Sequence, residues 1–164
     1  MSDTTQNGSS PLNMIVGLSD KAINLLNQFP DWPLQLFARF SVGYVFYNSG
    51  MKKVYNCDFP WFSCKIQDIT YALFKDFDVP FLSLVTATKL ATFGELTLPL
   101  LLFAGLATRF GAAGLLVMTM VIQIVQPTGW PTHLMWATLL VFVLVRGPGP
   151  VSVDHFVRKR FIGN

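Results

Sequence analysis

Charge is scarce in this sequence: Asp, Glu, Lys and Arg together make up 13% of its 164 residues, about half the share a soluble domain carries. That argues against a water-soluble globule. Also missing are a glycine-rich phosphate loop, an HExxH zinc pair, a nucleophile elbow and a paired-carboxylate motif, so no familiar soluble-enzyme chemistry is signposted. The net charge of +3 comes from dispersed and terminal cations with no basic stripe interleaved with aromatics. Nucleic acid is therefore not an expected partner. Met1 to Pro11 is polar, with neither a basic start nor an apolar run, and does not read as a signal peptide. No internal repeat or low-complexity tract is visible. Haem, flavin and metal motifs are absent too, and Met118 and Met120 read as packing rather than copper ligands.

What the chain has instead is hydrocarbon. Hydrophobic residues make up 52% of it, and its mean hydropathy is +0.46. They gather into four blocks, Leu34 to Gly50, Leu82 to Gly105, Gly111 to Val125 and His133 to Val145. About twenty residues at about 1.5 Å each cross the hydrocarbon core. The blocks thus predict an all-α integral membrane four-helix bundle, with spans near 34–54, 82–105, 108–126 and 131–147. The fourth is short and counts as a span with Trp130 and Arg146 in the head groups. Around the transmembrane domain, 34–150, lie a cytoplasmic tail with an amphipathic helix, 1–33, and a basic cytoplasmic tail, 151–164. One side of the membrane receives Lys21, Arg109, Arg146, Arg158, Lys159 and Arg160, the other Lys52, Lys53, Lys65 and Lys75. By the positive-inside rule both termini are cytoplasmic.

The connecting segments carry their own signals. Ser10-Pro11 starts a helix and Pro30 stops it. Between them Leu12, Ile15, Val16, Ala22, Leu26 and Phe29 recur near helical period, which suits either an interfacial helix or one docked on the bundle end. Met1 to Ser9 is polar and predicted disordered. After the first span, Phe62, Ile66, Ile69, Leu73 and Phe77 step by three and four, predicting a helical lid made acidic by Asp58, Asp68, Asp76 and Asp78. On the outer side of the membrane Cys57 and Cys64 form a plausible disulfide, with two free thiols as the alternative.

Within the second block stand Lys89, Glu95 and Pro99. Lys89 and Glu95 are six residues apart, about 240° round a helix, so they do not pair directly. Pro99 leaves the carbonyl of Glu95 without its helical donor. Such a group belongs in the bundle interior or a wet cavity. Counting depth puts Glu95 level with Tyr44, Met118, Thr119 and Thr138, with Arg39 able to reach up to it. A second layer holds Asn48, Ser49, Lys89, Gln123 and His133. Each has a plainer reading: Arg39 or Lys89 snorkelling to head groups, a structural Arg39–Glu95 pair, His133 as an interfacial hydrogen-bonder. Arg109 and Arg146 read as anchors of helix ends.

The stretches "ARFSVGYVFYNSGMKKVY", "GELTLPLLLFAGLATRFGAAGLLVMTM" and "WPTHLMWATLLVFVLVRGPGPVSVDHF" resemble the DoxX family of small four-helix bacterial membrane proteins. The resemblance rests on Arg39, Gly50-x-x-Lys53, Glu95-x-x-x-Pro99, Gly105-x-x-Thr108-Arg109, His133 and the closing "GPGPVSVD" with Asp154, another helix-end candidate. Cys57 and Cys64 depart from that pattern. The resemblance implies a bacterial inner membrane location with both termini inside. It also implies links to thiosulfate:quinone oxidoreduction, oxidative-stress complexes and maturation of extracytoplasmic factors. The reading adopted is an accessory or scaffold protein, without a cofactor of its own, that lies in the lipid bilayer and binds protein partners or further copies of itself. The alternative is a membrane subunit of a quinone-coupled oxidoreductase, in which Glu95 manages protons and His133 or Lys89 meets a quinone carbonyl. A small-solute carrier is the weaker third reading.

Overall fold

The computed structural model describes residues 11–57, 64–75, 82–161 and 163. They fall into two units, Met1–Asp31 and Trp32–Asn164. The first contains helix α1, Pro11–Asn27, in which no residue is buried. Met14, Ile15, Leu18, Leu25 and Leu26 occupy one arc of α1 and are all more than half exposed, while Asn13, Asp20 and Asn24 share the opposite arc. The disorder expected for Met1 to Ser9 lies outside the described residues.

The second unit takes all of α2, Asp31–Met51, but its first residue, and continues after a hairpin with α4, Leu84–Ala104, α5, Thr108–Val125, and α6, Trp130–Arg146. Among the described residues three helices are long and apolar enough to cross a membrane: Leu84–Ala104, Thr108–Val125 and Pro127–Arg146, the last including a single 3-10 turn. At 21 residues α2 matches α4 in length, but it carries Asp31, Gln35, Arg39 and Asn48 and does not join them on composition. All four share one core, built from Val42 and Phe46 of α2, Leu102 of α4, Leu115 of α5, and Leu140 and Val143 of α6. The outside is as apolar as the inside: Phe37, Phe110, Ile124, Met135 and Val145 are each 66–74% exposed. In water such a surface aggregates; in lipid it is the solvent face, and the helices hold together by close packing rather than by water exclusion. Gly43 illustrates the packing, since a Cβ there would sit 2.7 Å from the Phe103 ring.

The first span was expected to end at 54, whereas α2 stops at Met51. Lys52 and Lys53 form a turn and Val54–Tyr55 becomes strand β1, paired antiparallel with β2, Lys65–Ile66. A disulfide joins Cys57 to Cys64, with Cα atoms 4.2 Å apart. The helical lid begins later than its apolar spacing suggests, as α3, Asp68–Lys75, packed on α4. Ile66 is committed to the ladder and the Gln67 N–H donates to the Lys53 carbonyl, so no helix can start before Asp68. Phe62 and Phe77, the other ends of that pattern, and Asp58, Asp76 and Asp78 lie outside the described residues.

The segment after residue 150, expected as a basic tail, forms α7, Val153–Phe161. It is tied back to the start of α5. Ala107 precedes that helix at φ 46° and offers no side-chain cap. Asp154 supplies one, its two carboxylate oxygens accepting from the Ala107 N–H at 2.7 Å and the Thr108 N–H at 2.9 Å, where the helix dipole also favours a negative charge.

Candidate functional site

Ser49, on the last turns of α2, and Lys53, in the turn beyond it, lie four residues apart and reach the same point of α4. Lys53 Nζ donates to Glu95 Oε2 at 2.5 Å and to Ser49 Oγ at 2.8 Å, and Ser49 Oγ donates to Glu95 Oε1 at 3.2 Å. Glu95 is 4% exposed. Gly50 makes the approach possible: a Cβ there would stand 3.0 Å from both Glu95 Cβ and Leu96 Cδ2. The hairpin holds the lysine from behind. Its carbonyl accepts from Gln67 N at 2.9 Å and from Thr70 Oγ1 at 3.3 Å, and Gln67 Nε2 donates to the carbonyls of Lys52 and Val54 on either side.

The second polar group is a pair on α5 and α6. His133, 6% exposed, places Nδ1 at 2.7 Å from Gln123 Oε1. Gln123 Nε2 in turn donates to the Pro127 carbonyl at 3.4 Å, which leaves Gln123 Oε1 facing the imidazole. The imidazole lies 5.3 Å from the Trp136 ring, which meets Phe46 edge-on at 5.4 Å.

One cavity of about 340 Å³ joins the two groups. Ser49, Lys53, Glu95, Gln126 and His133 are its polar lining, with Phe46, Met118, Ile122 and Trp136 among its apolar walls. A chamber of this size holds a small, mostly apolar molecule with a few hydrogen-bonding atoms. The ion pair offers a donor and an acceptor at one wall, and His133 brings an imidazole to another.

Several expected residues stand elsewhere. Arg39 does not meet Glu95. It is 1% exposed and donates to the carbonyl oxygens of Pro148 at 2.6 Å and Val151 at 3.0 Å, because its stem runs toward the other end of the unit from the hairpin. Tyr44, expected among the buried polar groups, is 64% exposed; three residues before Tyr47, it sits on the outward arc of α2. Asn48 is half-buried and does not line the cavity, and Lys89 is exposed and lines a different groove. Arg109 donates to the Val145 carbonyl at 3.4 Å and Arg146 is exposed in the last turn of α6. Lys53, which the charge count sets among the cations of one side of the membrane, is the residue of this site that the sequence reading did not join to Glu95. Its spacing of four from Ser49 is the signal that locates it. Buried Gln35 beside Gly149 gave no such signal.

Apolar helices with an apolar exterior, one shared core and a buried ion pair beside a mostly apolar cavity define a helical membrane protein. The sequence profile of the DoxX family matches residues 34–128, more than half of the chain, and the chain belongs to that family. Neither a curated protein nor a solved structure matches it.

Proposed function

We propose that this chain is an accessory subunit of the bacterial inner membrane that binds a lipophilic carbonyl compound of the quinone class in the cavity and serves a redox, stress-response or maturation system. In this reading α2 crosses the membrane with α4, α5 and α6, and both termini are cytoplasmic. The observation that carries it is the pairing of apolar, aromatic walls with the Lys53–Glu95–Ser49 group and His133. A flat ring fits beside Trp136, and Lys53 Nζ supplies the donor that a quinone carbonyl requires. Oxidation and reduction themselves fall to a partner protein, and the cavity's residues bind and orient. Protein purified from membranes in mild detergent is extracted and searched for quinone by mass spectrometry, then titrated with a short-chain quinone while tryptophan fluorescence is followed. Co-purifying quinone and saturable quenching that disappears in Trp136→Phe and weakens about tenfold in His133→Ala are expected. Quinone-free protein with linear, non-saturating quenching removes the proposal.

A further inference from the structure

A second groove, of about 380 Å³, lies on another side of α4. Lys89, Thr92, Phe93, Leu96, Thr97 and Leu100 line it from α4. At 100° per residue they form one stripe, centred well away from Glu95. Gly43 packs on Phe103 and Gly50 on Glu95, so α2 and α4 run antiparallel and the hairpin beyond Met51 lies toward the Lys89 end. Val54, Cys64 and Ile66 of that hairpin, with Tyr71 of α3 and Tyr47 of α2, form the facing walls.

Thr92 sets this groove apart from an ordinary lipid-facing furrow. Thr88, Thr97, Thr119 and Thr138 each give their hydroxyl to the carbonyl four residues earlier, at 2.8 Å. Thr92 does not: its Oγ1 is buried without a hydrogen-bond partner, in a residue 2% exposed. A buried hydroxyl left unsatisfied is costly. Lys89, three residues away on the same stripe, is exposed and makes no ion pair or hydrogen bond among the described residues. From Lys89 to Leu100 the α4 wall of the groove thus carries a cation, a buried hydroxyl without a partner about 4.5 Å further in, and then Phe93, Leu96 and Leu100, the Thr97 hydroxyl being turned back to its own helix, over a total rise of about 16 Å, close to the thickness of one leaflet's hydrocarbon.

We infer that this groove is a binding site for one anionic phospholipid. The order of groups along α4 is the order of groups along such a lipid. Its phosphate meets Lys89, an ester carbonyl one glycerol unit inward accepts from Thr92 Oγ1, and an acyl chain runs over Phe93, Leu96 and Leu100. The site is distinct from the cavity of the ion pair and stands whether or not that cavity takes a quinone.

Native mass spectrometry of detergent-purified full-length protein, titrated with phosphatidylglycerol or phosphatidylethanolamine, tests it. Wild type is expected to retain one phosphatidylglycerol adduct in preference to the zwitterionic lipid. Lys89→Gln should lower phosphatidylglycerol affinity about fivefold, the worth of one cation beside an anionic head group, and leave phosphatidylethanolamine binding unchanged. Thr92→Val should weaken both lipids while melting no lower than wild type in lipid-free detergent, since it removes an unsatisfied group. Leu100→Trp, which fills the inner end, should abolish the adduct with the Cys57–Cys64 disulfide intact. Equal phosphatidylglycerol binding by wild type, Lys89→Gln and Leu100→Trp would reduce the groove to annular contact and overturn the site. Displacement of the adduct by millimolar inorganic phosphate would equally overturn it in favour of a plain anion site.

Discussion

Glu95 is a carboxylate inside a membrane helix, and its tolerability rests on Lys53 and Ser49. A buried ion pair contributes little compared with an apolar pair of the same shape, but breaking it from one side is expensive. Lys53→Met should therefore destabilise the protein by about 3–5 kcal/mol, and combining it with Glu95→Gln should restore most of the loss. Thermal unfolding in one detergent reads both, and equal melting temperatures for Lys53→Met and wild type would mean that the carboxylate is hydrated. Glu95 is legible in the sequence because Pro99 and a long apolar context single it out. Its partner is not, because hydropathy prolongs α2 as far as residue 54 and so places Lys53 on the rim. Arg39 fails differently. It is plainly visible as a charge in an apolar block, yet its acceptors are main-chain carbonyls, which no side-chain pattern identifies.

Among the elements, the long apolar helices are legible, while the hairpin and α7 are not. Two-residue strands have no periodicity to detect, and the only trace of this one is the spacing of Cys57 and Cys64. The disulfide closes the ladder that holds the Lys53 carbonyl. Reducing it should cost on the order of 2 kcal/mol by the loop-entropy estimate, and Cys57→Ser with Cys64→Ser should melt lower by the same amount. A melting temperature indifferent to reductant would show that the hairpin holds without its bridge. The start of α5 offers a prediction of opposite sign. Ala107 adopts the left-handed region at φ 46° with its side chain exposed, so Ala107→Gly should stabilise by about 1 kcal/mol. By contrast, Asp154→Ala should cost about 1 kcal/mol through the lost cap. A lower melting temperature for the glycine variant would mean that the left-handed turn is unstrained.

For the whole molecule, the number of crossings turns on α2, which matches the other long helices in length but not in composition. If α2 crosses, residues near Asn24 and near Asp68 lie on opposite faces of the membrane; if it does not, they share one. Single cysteines at those two positions, placed in a Cys57→Ser, Cys64→Ser background and labelled from outside intact cells with an impermeant maleimide, separate the cases, with labelling at Asp68 alone expected. The four apolar blocks correctly give the four helices that share the core, because each block averages over its lipid-facing residues. The docking of α7 escapes the same average, since it depends on Asp154 meeting two backbone amides nearly fifty residues away in the chain. Arg39 has a consequence that belongs to the making of the protein rather than to its finished state. Its acceptor at Pro148 is 109 residues downstream, an interval of synthesis on the order of ten seconds at about 5–20 residues per second. Throughout that time the nascent chain holds a guanidinium that no native carbonyl has yet claimed. Emergence of Pro148 to Val151 from the ribosome is then the event that completes α2. A chain ending at Gly147 should consequently be synthesised and cleared, with a half-life far shorter than the full-length protein in a pulse-chase experiment.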